Sequence, residues 1–199
     1  LFDGSNDFFE GNLNSIPSAP ITIAAVGYFG TLNQGDGDFN NDYIISVGTT
    51  DNSETEHVGI ARRKDELPGP GTTNENTYYS WRGQTPSYGP VIVGQEWTII
   101  TSTHATASQF HEVYMEGAKQ TSPSPDYASS FTATASDFDI GRWVGAKNYL
   151  NGEIAEVIVF DEVLNEARLN ILHSYLSAKY NEPLTSNDKY IGDNLGNSG

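Results

Sequence analysis

The chain has 199 residues, a length that suits one β-rich domain. Its formal net charge of −16 repels phosphate, which argues against nucleic acid and anionic membrane as partners. The lack of cysteine excludes disulfides, thiolate metal sites and cysteine nucleophiles, and no apolar run approaches the ~20 residues a bilayer span needs.

The opening "LFDGSNDFFEG" reads as the interior of a longer polypeptide, so the expectation is a module of a larger protein. Short runs with strand composition follow, separated by Gly, Pro, Asn and Asp. The first is Ile21–Phe29, "ITIAAVGYF". After it comes a polar loop, Asn33–Asp42, containing "GDGDFNND". Asp36, Asp38, Asn40 and Asp42 there alternate oxygen-bearing side chains within a glycine-containing stretch. Calcium takes six to eight oxygen ligands, and such spacing lets one loop supply several. The competing reading is a solvated turn that uses Asp, Asn and Gly for their backbone tolerance.

Strands are next expected at Asp42–Gly48, Glu56–Arg62 and Thr77–Gly83, the last two separated by the Pro- and Gly-containing loop Lys64–Asn76. Alternation along "TYYSWRG" puts Tyr79 and Trp81 on one face and Tyr78 on the other; Arg82, Gln84 and Tyr88 follow. Flat aromatic faces beside planar polar groups suit sugar binding, because C–H faces stack on the rings and polar groups satisfy hydroxyls. Glu96–His104 and Phe110–Ala118 are further strands; Trp97 opens an apolar strand and is assigned to the core. Beyond the loop Thr121–Ser130, "FDIGRW" (Phe138–Trp143) leads into a second aromatic and polar set, Arg142, Trp143, Asn148 and Tyr149. Either aromatic set is a ligand platform or part of the core. His57, His104, His111 and His173 lack metal spacing, and His173 is expected to be partly exposed.

The last strand, Gly152–Phe160, carries Glu153 and Glu156, with Asp161 and Glu162 at its end. On an undistorted strand Glu153 and Glu156 point to opposite faces. Glu153 and Asp161 share a face but lie ~26 Å apart. Paired glycosidase carboxyls need ~5–5.5 Å or ~6.5–9.5 Å, so this strand reads as structural. One helix follows. Asn165 is its N-cap, Leu164 and Leu169 form a hydrophobic staple, Leu169, Leu172 and Leu176 make its apolar stripe, and it ends near Tyr180.

Read together, "LFDGSNDFFEG", "EWTIITSTH...FHEVYMEGA", "FDIGRW" and "GEIAEVIVFDEVLNEARLNILHSYLSAKY" resemble, in this order, the LamG-like domains of the concanavalin A-like lectin/glucanase superfamily. The strand spacing and the resemblance agree on an all-β, two-sheet antiparallel sandwich of jelly-roll type with one C-terminal helix. Residues 1–182 form the domain and 183–199 a tail or linker. The resemblance also implies a calcium ion on an outer face, with Asp3 and Asp161 as ligands. The glucanase branch carries an E-x-D-x-x-E strand; "EIAEV" lacks its central Asp, which argues against hydrolysis. The expected function is non-catalytic glycan binding by a secreted or cell-surface protein, joined to other domains of its parent chain. The rivals are a protein-binding or structural spacer module, and a glycoside hydrolase or polysaccharide lyase.

Overall fold

The computed structural model describes residues 1–14, 20–30, 41–48, 57–64, 76–82, 85–91, 96–105, 112–120, 137–143 and 148–188; for 57, 63–64, 76–82 and 85–91 the description covers the backbone alone. Twelve strands and one helix follow in order: β1 (Phe2–Asp3), β2 (Phe9–Asn12), β3 (Ile21–Phe29), β4 (Asn41–Gly48), β5 (His57–Lys64), β6 (Asn76–Arg82), β7 (Thr85–Val91), β8 (Trp97–His104), β9 (Glu112–Met115), β10 (Ala118–Lys119), β11 (Asp137–Ile140), β12 (Asn151–Phe160) and α1 (Glu166–Tyr180). They form two six-stranded sheets. The back sheet has the order β1-β12-β3-β8-β9-β10 and the front sheet β2-β11-β4-β5-β6-β7. Every strand pair is antiparallel. The chain is the all-β sandwich that its strand pattern predicts.

β3 shows why the sequence folds this way. Its residues 21–26 are fully buried on both faces. Ile21, Ile23 and Ala25 face the front sheet and meet Ile45, Val47, Val58 and Ile60 in the inter-sheet core. Ala24 and Val26 face outward and pack with Ile99 under Leu164 and the Leu169, Leu172 and Leu176 stripe of α1. A near-continuous apolar run is what a strand buried on both faces requires. Each buried Leu of α1 contributes roughly 1.5–3 kcal/mol.

The helix is held as its sequence predicts. Asn165 Oδ1 accepts from Arg168 N at 3.0 Å, and Asn181 caps the C-terminus at φ 54°. Thr22 Oγ1 donates to Glu162 O and accepts from Leu164 N, which fixes the turn from β12 into α1. No described helix is long and apolar enough to cross a membrane. Beyond α1 the chain returns to the β9–β10 turn, where Thr185 N and Ser186 N both donate to Glu116 O.

Three expectations are corrected. His173 is 1% exposed, wedged under α1 with Nε2 3.1 Å from Thr101 Oγ1 and its ring 5.7 Å from that of Tyr114. β12 carries a bulge between Ile154 and Glu156. It breaks the alternation read from the sequence. Ile154, Val157 and Val159 face the inter-sheet core while Ile158 and Phe160 face the helix. Residues 112–119 form a tight hairpin, β9 and β10 turning at Glu116–Gly117, and not one strand; Phe110 and His111 lie outside the described residues. Trp97 is half-buried against the helix-side cluster, its ring 6.0 Å from that of Tyr28.

Candidate functional site

The outer side of the front sheet is the face that no helix covers among the described elements. Cross-strand partners share a face, so the register defines rows across it. One row runs Glu10, Asp139, Ser46, Gly59, Trp81, Pro86 from β2 to β7. The neighbouring row runs Tyr43, Ala61, Tyr79, Tyr88. Both lie opposite the core, since Ser46 and Gly59 alternate with the core residues Val47 and Val58. The register therefore brings positions 79, 81 and 88, from β6 and β7, to one face. It separates them from Arg82, which pairs with Val58 in a core-side row. Gln84 lies outside the described residues.

Gly59 occupies the middle of the first row for a steric reason. A Cβ there would sit 2.7 Å from Ile45 O and 3.3 Å from the Tyr43 ring. The Tyr43 ring lies beside that space, and Ser46, Gly59 and Ala61 are buried.

The second predicted set assembles at the β11 end of the same sheet. Gly141, at φ 88°, turns the chain out of β11; a Cβ at this position would overlap the Phe2 ring. The turn carries Arg142 back over the sheet, where its carbonyl accepts from Ser46 Oγ at 3.2 Å. Arg142 Nε donates to Asp139 Oδ2 at 2.7 Å and its Nη2 to Glu10 Oε2 at 3.0 Å. The guanidinium carbon lies 3.3 Å from the centroid of the Phe8 ring, and Phe8 in turn meets Tyr149 at 6.3 Å. Burial lowers the Arg142 pKa, but hydrogen bonds and charge from Asp139 and Tyr149 outweigh it and hold the group above its ordinary value. Asp139 is held above its ordinary value: burial raises it, the hydrogen bond and charge of Arg142 lower it, and the charges of Glu10 and Asp137 add to the rise.

This set is mostly internal. Arg142 is 9% exposed, Trp143 6% and Asn148 8%. A ring buried that deeply offers no stacking face, so Trp143 belongs to the packing of the sheet and not to a ligand platform. Asn148 sits at φ 59°, a left-handed position that Asn tolerates, and its carbonyl accepts from Tyr43 N. Of the four residues, Tyr149 alone is partly exposed.

The metal expectations fare differently. Asp42 is fully buried between the sheets and paired with Arg62, which also donates to Gly30 O at 2.6 Å. A guanidinium thus neutralises Asp42, and we withdraw it as a calcium ligand. Asp36, Asp38 and Asn40 lie outside the described residues. Asp3 pairs with Asn151 at the start of β12, whereas Asp161 follows its far end, so roughly 33 Å of strand separates them. They cannot share an ion. Asp3 Oδ1 instead accepts from Ser5 N at 2.8 Å in a local turn. Among the described residues, no group of three His, Asp or Glu side chains is placed to hold a metal.

Sequence reasoning passed over Phe8, Glu10, Tyr43 and Asp139. The D-x-x-R spacing of Asp139 and Arg142 was a readable signal. Glu10 lies 132 positions from Arg142 and gave none.

No protein-family model and no curated protein sequence matches the chain. Solved structures do match in fold. The Ruminococcus gnavus IT-sialidase CBM40 aligns at TM-score 0.53 and 12% identity, over 86% of this chain and 96% of its own. Trypanosoma rangeli sialidase in complex with sialic acid aligns at TM-score 0.63 and 15% identity, over 89% of this chain. The chain spans only 27% of that sialidase. A heptameric SAP-like pentraxin from Limulus polyphemus aligns at TM-score 0.58 and 13% identity, over 84% of this chain and 77% of its own. What these likenesses establish is the fold, a jelly-roll β-sandwich; they do not single out the LamG-like family.

Proposed function

We propose that the chain is a non-catalytic, lectin-like module that binds glycan on the outer face of its front sheet. The observation that carries this reading is the register, which brings positions 79, 81 and 88 into two adjacent rows of one face. Aromatic residue types grouped on a face with Glu10 and Tyr149 at its far side are the chemistry that sugar rings and hydroxyls require. The fold supports the ligand class. The R. gnavus CBM40 was solved bound to α2,3-sialyllactose, and the T. rangeli sialidase with sialic acid. The reading is non-catalytic because the adjacent carboxylates of this face, Glu10 and Asp139, both accept from Arg142.

In the same proposal the chain is a LamG-like domain of a secreted or cell-surface protein, alongside other domains of its parent. Calcium, if bound, is held by Asp36, Asp38 and Asn40 and is structural. The deciding experiment is a glycan array run in calcium and again in chelator, followed by titration of the best ligand against Trp81→Ala. Loss of one stacking ring weakens binding by about tenfold with no change in melting temperature. Unchanged affinity for every glycan would favour the structural-spacer reading. An identical melting curve in calcium and chelator would remove the calcium loop.

A further inference from the structure

α1 covers the outer side of the back sheet, and it can lift away without opening a ladder. Its backbone hydrogen bonds close within the helix. Each strand beneath it shares its own with a neighbour. The chain is latched on either side of the helix. Before it, Thr22 Oγ1 holds Glu162 O and Leu164 N; after it, Thr185 N and Ser186 N donate to Glu116 O. Between the latches, no backbone hydrogen bond joins α1 to β8 or β9 among the described residues. Side chains alone hold it there.

The seat beneath the helix is half apolar and half polar. Leu169, Leu172 and Leu176 rest on Ala24, Val26 and Ile99. Beside them α1 buries His173, Ser174 and Ser177, and β8 buries Thr101 and Thr103. Alternation puts both threonines on the face of Ile99. His173 is the one titratable side chain among the buried residues of α1. Its Nε2 lies 3.1 Å from Thr101 Oγ1, and Nδ1 has no hydrogen-bond partner among the described residues. A neutral ring fits this seat through Nε2. A charged ring carries a second N–H donor, 1% exposed, with neither acceptor nor water to meet it.

The neighbouring charges do not offset that cost. β9 presents the Tyr114 ring, whose hydroxyl donates to Glu112 at 2.6 Å, and Glu112 pairs with Lys119. β3 presents Ala24 and Val26, and Glu156 of β12 is paired with Lys179. On α1, Arg168 is paired with Glu162, and Glu166 lies near enough to Tyr114 to raise its pKa. Glu182, after the helix, lies near Glu116 and Glu96. Burial and this crowding raise Glu116 and Glu182, so acid favours the docked arrangement there. His173 is the group that works against docking in acid.

We propose that α1 is an acid-released cover of the back sheet. Protonation of His173 lifts the helix from β8 and β9 between its two latches and bares Ala24, Val26 and Ile99, while both sheets stay paired. The proposed glycan face is on the other sheet, so the two readings stand or fall separately.

Native-state hydrogen exchange of the full chain, from pH 7 to pH 5 with and without about 1 M urea, tests this. The probes are the amides of Leu172–Ser177 and, for comparison, those of the central strand β4. Between pH 7 and pH 5 the opening constant of the α1 amides should rise about twentyfold. That is the linkage of a ring moved from 6.5 to about 4. The rise should begin near pH 6.5, with one proton taken up per opening. Urea at pH 5 should leave the α1 opening nearly unchanged and speed β4 exchange by about tenfold or more, because local release exposes little surface. His173→Gln, neutral throughout and able to bond Thr101, should cut the pH step to less than about threefold. Equal urea dependence of α1 and β4 would overturn the proposal, because the opening would then be global. So would a pH step that survives in His173→Gln. Should that variant misfold, the parent still decides: a step that begins only near pH 5 belongs to a carboxylate and sinks the assignment.

Discussion

Two arginines of the front sheet are each bound to an aspartate, and they sit on opposite faces. Arg62 and Asp42 lie inside the sandwich, with side chains 3% and 0% exposed. Arg142 and Asp139 lie on the outer face at 11% and 5%, and there Glu10, 69% exposed, reaches in as a second acceptor. The chemistry is the same and the consequence differs. Inside, nothing but protein surrounds the charges, so each ion depends on its partner. Outside, Glu10 connects the cluster to water and shares the guanidinium. Arg62 also has a mechanical role. It holds Gly30 O and Asp42, the residues that flank the segment carrying Asp36 and Asp38, and its guanidinium lies 5.1 Å from the Phe29 ring.

The largest effect expected from this comparison is that of Arg62→Ala. It strands a buried carboxylate and should cost about 3–5 kcal/mol of unfolding free energy in urea denaturation. Arg62→Met combined with Asp42→Leu removes both charges at similar volume and should lie within about 1 kcal/mol of the parent, or above it. If the double variant is as damaged as Arg62→Ala, the ion pair itself is what holds the sheets together and the comparison fails.

His173 extends the rule to a buried base that pairs with no charge. Burial under α1 pushes its pKa down to about 4 from 6.5. Nδ1 has no hydrogen-bond partner among the described residues. The folded state therefore holds the neutral ring, and the unfolded chain takes up the proton first. Stability is full above pH 6.5 and is lost as pH falls toward 4, reaching on the order of 3 kcal/mol. Glu116 and Glu182 act in the opposite sense: burial raises both, with Glu96 adding charge at each, so acid stabilises them. The measurement is thus a difference. Between pH 7 and pH 4, His173→Gln should lose less melting temperature than the parent. Parallel losses would show that the ring is not the acid-sensitive group.

Arg142→Gln should have a smaller effect than Arg62→Ala, about 1–3 kcal/mol, because it leaves one buried carboxylate while Glu10 returns to water. Glu10→Gln should stay within about 0.5 kcal/mol. An Arg142 variant as damaging as Arg62→Ala would mean that the outer face is sealed and not a ligand surface.

Much of this architecture was legible in the sequence. β3 was read to its residue because an uninterrupted apolar run between turn residues has one solution in a sandwich. The helix was read from its N-cap to its end near Tyr180 because Asn165 and the Leu164–Leu169 staple act locally. What escaped depends on distant partners. β7 was not among the expected strands; it contains Pro86 and Pro90, which its edge position among the described strands tolerates. The β12 bulge leaves no mark in its alternation, so Glu153 and Glu156, expected on opposite faces, share one: they pair with Tyr28 and Val26. The sequence left Trp143 open between ligand platform and core; only the fold shows its ring to be buried. Glu10 and Arg142 meet only because β2 pairs with β11, a contact no local pattern encodes.

The smallest predicted effect closes the series of ion pairs. Lys119 and Glu112 pair across the β9–β10 hairpin with side chains 57% and 35% exposed. Burial raises the Glu112 pKa, but hydrogen bonds from Lys119 and Tyr114 and the charge of Lys119 outweigh it, and the carboxyl ends below its ordinary value. Its contribution is therefore present above the unfolded carboxylate pKa and is lost as pH falls through the lower folded value. Water and salt screen such a pair, so Lys119→Met should cost no more than about 1 kcal/mol. In 1 M salt the Debye length shrinks to about 3 Å and most of that difference should vanish, whereas the cost of Arg62→Ala should persist. Melting curves of both variants at low and high salt make the comparison. If salt erases the two costs alike, Arg62 is reached by solvent, and the contrast between the inner and outer pairs collapses.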